Sequence, residues 1–433
     1  MKGKLIMKKT KKILSLMLAV LILIASIPIV QSFAIEYEVG DLVSFGSYPQ
    51  SKVRDKEIIS KLNSLAPSWD NWTSYGYYSG MGDYGTMVQG DWMRYTDVSY
   101  NGSKYRGVKF TQYRPSETYE VSLSSPYAYQ YRRGYNINTV YWFKFEPIDW
   151  RVLDPATGLV LCETIIDAQP YSNTFYRAHE FNESNPIYFN DEFCTNYAND
   201  YQTSSIRKWL NDDFYNTAFT DSEKREMKDE TRGKIFLLSF SEITNSNYGF
   251  SSESSLDTID TARSAFGSDY AKSQGLASAE WIVGSQGGLS CYCPVVGSFG
   301  AVYHYIYVSD TLRGIRPALK YNRISDTDQF ENNGGNECSH TVYKIVGKVA
   351  ETCTEKGYTG AKICKYCGLT IKANEEIPAT GHILDNLEQC LNCDFVCKCN
   401  CHKGGISSFF FKILNFFQKL FGQNKICECG AKH

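Results

Sequence analysis

A strong charge of either sign is what this chain most plainly lacks. Its 45 Lys and Arg stand against 47 Asp and Glu, a formal net charge of −2 over 433 residues. Electrostatic attraction to nucleic acid needs a basic domain, so that class of partner is excluded. Histidine is scarce too, six in all, and only His179 and His304 fall between residues 141 and 322. A catalytic triad needs a base beside its nucleophile, and nothing in the sequence pairs either histidine with one. There is no Gly-x-Ser-x-Gly, no phosphate loop, no His-Glu-x-x-His and no dinucleotide fingerprint. No catalytic residue is assigned. A carboxylate pair for glycoside hydrolysis is recognised by its separation in space, and so would not show here.

Cysteine is nearly missing from the first three quarters. Only Cys162, Cys194, Cys291 and Cys293 precede Cys338, and the other 11 of 15 crowd the end. That asymmetry predicts a separate small tail held by staples or metal, because so short a segment cannot bury a large core. The body of the chain is long enough for two or three domains. Its aromatic content, 15% with Tyr commonest, and its apolar content of 43% suffice for a packed core.

The N-terminus reads as an export signal. Lys2, Lys4, Lys8, Lys9, Lys11 and Lys12 form a basic start, Ile13 to Val30 is almost wholly apolar, and Ser32-Phe33-Ala34 offers small residues for cleavage after Ala34. An uncleaved membrane anchor is the competing reading. No Cys follows the apolar run, which argues against a lipid anchor, and the absence of Leu-Pro-x-Thr-Gly argues against sortase attachment.

Residues 35–140 form the Tyr/Gly/Ser-rich, β-containing first part of the main domain. Val39 to Pro49 predicts a strand ending in a Gly/Pro turn, and Tyr105–Phe110 and Thr118–Leu123 are further strand candidates. The Tyr/Ser/Gly stretch around them is either an irregular insertion or a set of adaptable recognition loops. Residues 141–322 form the central α+β domain. Tyr141–Phe145 and Ile148–Leu153 predict two strand pieces broken at Pro147, and the Asp154-Pro155-Ala156-Thr157-Gly158 turn returns the chain along Leu159–Cys162. A helix is expected from Ser204 to about Ala218, with Ile206, Trp209, Leu210 and Phe214 on one face. Thr220 to Glu223 matches a capping box that starts a second helix. Ile235–Leu238 predicts a buried strand, and a third helix is expected from about Thr258 to Ser273, stopped by Gly275. The chain then returns to β at Trp281–Val283, Cys291–Val296 and Ala301–Val308. In the last of these, period two sets Tyr303, Tyr305 and Tyr307 on one face. Those tyrosines with Trp281 are the candidate ligand-binding residues; a half-buried sheet with a Tyr face is the structural alternative.

Five motifs run in order: Phe45-Gly46-Ser47-Tyr48-Pro49-Gln50, Ile148 to Leu153, Ser204-Ser205-Ile206-Arg207-Lys208-Trp209-Leu210-Asn211, Phe236-Leu237-Leu238-Ser239, and Gly314-Ile315-Arg316-Pro317-Ala318-Leu319. Together they resemble the bacterial domain-of-unknown-function family numbered 6273, found in exported proteins of Gram-positive anaerobes and assigned no activity. The chain departs from the family at Trp281-Ile282-Val283-Gly284-Ser285, where a Trp-Leu-Arg-Ser-Pro-like segment is usual. The layout also resembles the C-type-lectin-like fold of formylglycine-generating enzymes. That resemblance implies an α+β, C-type-lectin-like mixed domain of two or three helices plus antiparallel sheet. The calcium motifs of sugar-binding lectins, Glu-Pro-Asn and Trp-Asn-Asp, are missing.

Residues 323–337 are polar, contain Asn332-Asn333-Gly334-Gly335-Asn336, and form the predicted linker. Residues 338–393 follow as a Cys/His-rich, zinc-ribbon-like module. Cys364-Lys365-Tyr366-Cys367-Gly368 has the spacing of a knuckle that aims two thiolates at one tetrahedral ion. Cys353 and one of His340 or His382 are candidates to complete that site, and Cys390 and Cys393 to begin a second with His382. Structural zinc is the expected cofactor, with disulfides the alternative in an exported protein. The string from Thr352 to His382 is similar to a repeat of bacterial surface proteins used as spacer or adhesive. Residues 394–433 form a Cys-rich C-terminal motif around Ser408–Phe421, an aromatic amphipathic helix too short to span a bilayer. Its expected contact is the membrane interface or an envelope partner, or else the tail's own metal site. The whole predicts a secreted, envelope-associated protein with a non-enzymatic domain for an extracellular glycan or protein. The alternatives are an exported hydrolase of polysaccharide or peptide, and a structural surface protein without a small ligand.

Overall fold

The computed structural model describes residues 37–75, 79–81, 87–89, 92–118, 128–173, 188–189, 192–193, 198–284, 292–322, 340–349, 354–365 and 367–379. The signal segment, the strand expected at 119–123, the linker and the 408–421 helix lie outside them. The described chain is mixed α+β, with mostly antiparallel sheets and few, short helices.

The axis of the fold is one long strand. After β1 (Leu42–Lys52) and helix α1 (Lys56–Leu65) come β2 (Thr73–Tyr75), β3 (Met93–Tyr100), β4 (Ser103–Phe110) and β5 (Val140–Asp154). Within the 15 residues of β5, Phe143–Arg151 pair with β1 on one side. On the other side β4 covers Val140–Lys144 and β6 (Leu159–Cys162) covers Trp150–Asp154. The expected break at Pro147 is therefore corrected. Pro147 sits beyond the reach of both β4 and β6, opposite an irregularity in β1 between Ser44 and Ser47, so its missing N–H leaves no rung unfilled. Gly46 makes that irregularity possible. Its φ is +68°, and a Cβ there would lie 2.6 Å from the Phe219 ring.

The helix opened by Ser204 forms as read. Ser205–Trp209, Leu210–Phe214 and Tyr215–Ala218 run on as α2, with a π-helical middle, and the Ser204 hydroxyl accepts from the Arg207 N–H. Ile206, Trp209, Leu210 and Phe214 are all buried. The Thr220–Glu223 capping box opens α3 (Asp221–Arg225). Strand β8 (Ile235–Phe236) is shorter than expected, though Leu237 and Leu238 are buried beside it, and a second capping box at Ser239 opens α4 (Phe240–Ile243).

The helix expected from Thr258 is corrected to its last turn, α5 (Asp269–Ser273). Arg263 explains the difference. It is fully buried, ion-paired to Asp260, and its guanidinium donates to the carbonyls of Ile243, Ser251 and Glu253. The carboxylate of Asp260 in turn accepts from the N–H groups of Ser251, Ala262 and Arg263. The segment winds around a guanidinium instead of coiling into a helix, because loop carbonyls satisfy the buried charge only if they converge on it.

A second sheet contains β7 (Asp167–Ala168), β9 (Trp281–Ile282), β10 (Tyr292–Val296), β11 (Val302–Tyr307) and β12 (Gly314–Ile315), in the order β11-β10-β9-β12-β7. The β9–β12 contact is parallel, the others antiparallel. The chain then enters the large sheet at β13 (Ala318–Lys320), between β8 and β6. Beyond the linker, β14 (Val342–Val349), β15 (Gly357–Cys364), β16 (Thr370–Lys372) and β17 (Glu376–Ile377) form a hairpin unit. It continues the large sheet: β14 pairs with β1 through Leu42↔Tyr343 and Val43↔Val342. The large sheet has 12 strands, running β8-β13-β6-β5-β1-β14-β15-β16, with β2, β3, β4 and β17 off that path.

Candidate functional site

Three places in the fold concentrate chemistry, and the first is the knuckle at the end of β15. Cys364 closes the strand, buried, and its backbone N–H donates to the Leu369 carbonyl at 2.8 Å. Its carbonyl accepts from the Gly368 N–H at 3.1 Å. Gly368 has φ +72°, the left-handed conformation that lets the chain fold back after Cys367. His340, at φ +53°, approaches from just before β14, and its Nδ1 lies 3.3 Å from the exposed Cys367 sulfur. One donor atom from each of His340, Cys364 and Cys367 falls within 4.8 Å of the others. Such a group can hold a metal ion. Among the described residues, His340 is brought to the Cys364–Cys367 pair. Cys353, His382, Cys390 and Cys393 lie outside the described residues.

The second is the dock between that module and the main sheet. Asp149, on β5, is the focus. It accepts from the Ser44 hydroxyl at 2.6 Å and from the Tyr343 hydroxyl, and it pairs with Lys362 Nζ at 2.6 Å. Beside it, Lys365 Nζ reaches Asp41 at 2.8 Å and Glu38 at 3.1 Å. Burial lowers the tendency of Lys365 to hold its proton, but hydrogen bonds to Asp41 and Glu38 outweigh that and raise its pKa. One layer inside, Glu163 takes both arms of Arg151 at 2.8 and 2.9 Å and lies 3.5 Å from Arg316. Burial pushes the Glu163 carboxyl up, and the two guanidinium groups more than offset it, leaving it below the usual carboxylate range.

The third is the tyrosine face of β11. Tyr303 and Tyr307 are 40% and 38% exposed, while Val302 and Val308 are buried, as the alternation predicts. The Tyr303 ring lies across Gly297, where a Cβ would approach it to 2.5 Å. Tyr307 stacks on Tyr292 of β10 at 4.9 Å and 21°. The side chain of Tyr305 is outside the described set. Trp281 is not part of this surface. It is fully buried, donates its indole N–H to the Arg263 carbonyl at 3.0 Å, and carries the Arg316 guanidinium 5.3 Å above its ring.

Arg316, in the Gly-Ile-Arg-Pro-Ala run, is the pin of the main domain. Fully buried, it donates to the carbonyls of Cys162 at 2.6 Å and Arg263 at 3.1 Å. Gly314 beside it leaves no room for a side chain: a Cβ would meet Ile165 at 2.2 Å. Cys162 and Cys293 are free, buried thiols, and burial lifts Cys162 to about 12 and Cys293 higher still. Neither is poised as a nucleophile. Sequence reasoning missed Asp149, Tyr343 and Lys362 as a set, because Asp149 lies 194 and 213 positions from the other two and no local pattern links them.

Comparison with protein families places residues 157–321 in the family described as "Domain of unknown function (DUF6273)". The match begins in the β5–β6 turn and ends just past β13, so it spans the buried Arg263 and Arg316 and the tyrosine face. No curated protein and no solved structure matches the chain.

Proposed function

We propose that this is a secreted, cell-envelope-associated protein whose α+β domain binds an extracellular glycan or protein without catalysis, carried on a zinc-stapled Cys/His tail. The observation that carries the reading is the outward pair Tyr303 and Tyr307 on a rigid β11, with Tyr292 stacked behind. Tyrosine offers a broad amphipathic ring with little rotamer entropy to lose, which suits recognition. Two carboxylates of the matched region are engaged as ion-pair partners, Glu163 with Arg151 and Asp260 with Arg263, and the buried Asp167 carboxyl accepts from the Tyr48 hydroxyl, which favours a binding role over a hydrolytic one. A lectin-like organisation of the domain is supported by its short helices and by the second sheet, in which Gly314-Ile315 joins β9 to β7.

Zinc is the ion we assign to His340, Cys364 and Cys367. Thiolate and imidazole together suit it, and its tetrahedral site places neighbouring donors about 3–4 Å apart. A leader cleaved after Ala34 would deliver the chain, and the 408–421 segment would hold it at the membrane interface or to an envelope partner.

The test is binding of the purified chain to isolated cell-wall polysaccharide and envelope protein. We expect the double variant Tyr303→Ala/Tyr307→Ala to lose at least tenfold in affinity with its unfolding midpoint unchanged; equal binding by both proteins would sink the tyrosine surface. Deletion of residues 408–421 is expected to release the protein into the medium. Continued cell association would remove the anchoring role.

A further inference from the structure

The metal donors and the docking residues occupy the same few positions of the tail. His340 is followed two and three residues later by Val342 and Tyr343, which pair with Val43 and Leu42. Cys364 sits between Lys362, which pairs with Asp149, and Lys365, which pairs with Asp41 and Glu38. The Lys365 N–H also donates to the Val342 carbonyl at 3.0 Å, tying the knuckle to the first docked residue. The dock consists of two cross-strand residue pairs, the buried Tyr343, the ion pairs of Lys362 and Lys365, and Lys348 placed 5.3 Å from the Phe266 ring centre. The β14–β15 ladder already sets Tyr343 opposite Cys364, but Val346, Val349, Leu369 and Ile371 of this unit are exposed, and ordering the lysines opposes their ion pairs. A bond across His340 and the knuckle would hold Tyr343, Lys362 and Lys365 in position together.

We infer that metal occupancy of the His340, Cys364 and Cys367 donor set is the latch that docks the tail hairpin on β1 of the main domain. The inference rests on the zinc assignment above and extends it: the ion stabilises a contact between modules as well as the tail's own fold. Metal bridging of His340 to the knuckle fixes the start of β14 against the end of β15. Tyr343 and Lys362 then present to Asp149 from neighbouring strands, and Lys365 falls over Asp41. Coupling of this kind is reciprocal, so whatever weakens the dock weakens metal affinity by the same factor.

The experiment uses the full chain loaded with zinc, then treated with a chelator, with metal stoichiometry and backbone hydrogen exchange followed together. We expect chelation to speed exchange at least tenfold in residues 342–346 and also in residues 42–44 of β1, while 159–162 stay protected. In parallel, Lys362→Met should weaken zinc binding at least fivefold, measured by competition with a chromophoric chelator. Lys356→Met, which breaks the exposed pair with Glu376 and a contact with the Tyr358 ring on the same module, should leave it unchanged. Zinc bound at the knuckle with exchange at 42–44 unaltered by its removal would overturn the latch and leave the zinc assignment standing. Absence of bound zinc, with Cys364 and Cys367 oxidised, would overturn the assignment and the latch with it.

Discussion

The family-matched domain and the tail hairpin lie in one sheet and are held by different physics. Between residues 157 and 321 the stabilising groups are large and dry. Trp281, Phe214 and Phe236 are fully buried, and Arg263 and Arg316 are turned inward to collect backbone carbonyls. In the tail, by contrast, Val346, Val349, Leu369 and Ile371 are exposed, and the buried residues are few: Val342, Tyr343 and Cys364. The first region derives its order from excluded water and satisfied charge. The second has a metal-competent cluster and a handful of ion pairs in place of a large core. A large domain can afford to bury an arginine because enough polar backbone can be folded around it; a hairpin of this size cannot.

The largest effect expected of any single substitution falls at Trp281. Truncation to Ala leaves a cavity under the Arg316 guanidinium and removes one of the two donors, the indole N–H and Arg316, that the Arg263 carbonyl accepts from. Trp281→Ala should destabilise the domain by about 3–5 kcal/mol, read as a lowered urea midpoint, while zinc stoichiometry per folded chain stays the same. A loss below about 1 kcal/mol would show that the two buried arginines do not depend on the ring.

A smaller effect is written in the buried carboxyl of Asp167. Burial pushes it up to about 6, restrained by hydrogen bonds from the Tyr48 hydroxyl and the Ala168 N–H and by nearby Arg114 and Arg106. Because its folded pKa exceeds the unfolded value of 3.8, the folded state holds more protons between about pH 4 and pH 6. Stability from this group therefore falls as pH rises through that window, by about 1–3 kcal/mol in all. Asp167→Asn should flatten the slope between pH 4 and pH 7. A variant with the parental slope would assign the dependence to other groups.

The contrast between the regions also explains what the sequence could reveal. Helix α2 was legible because Ile206, Trp209, Leu210 and Phe214 repeat at helical spacing and Ser204 caps them, all within one short window. The β5–β6 hairpin was legible for the same reason, its turn chemistry being local. The helix expected from Thr258 failed because periodicity treats Arg263 as a surface residue, whereas loop carbonyls drawn from residues 243 to 253 make it a core one. At the candidate metal centre the Cys-x-x-Cys-Gly knuckle was readable, since its geometry is set by five consecutive residues. The approach of His340 to it was not, because that depends on where β14 begins. Reading 338–393 as a module separated by a linker missed the dock altogether. Leu42 and Tyr343 are neighbours only after the whole domain has folded between them.

The finest test of the comparison is Cys364→Ser. The substitution removes the one buried thiolate of the cluster while keeping its size, so the tail should lose its metal and its protected amides. If the domain is stabilised by its own core, its urea midpoint should move by no more than about 1 kcal/mol, the scale of a lost hydrogen bond or two at the β1 edge. Asp149 would lose Lys362 and Tyr343 but keep Ser44, and β1 would keep β5 along its length. A drop comparable to that of Trp281→Ala would mean that the tail hairpin is an integral strand of the domain's sheet. The boundary of the folding unit would then lie past Cys367, well beyond the segment that defines the family.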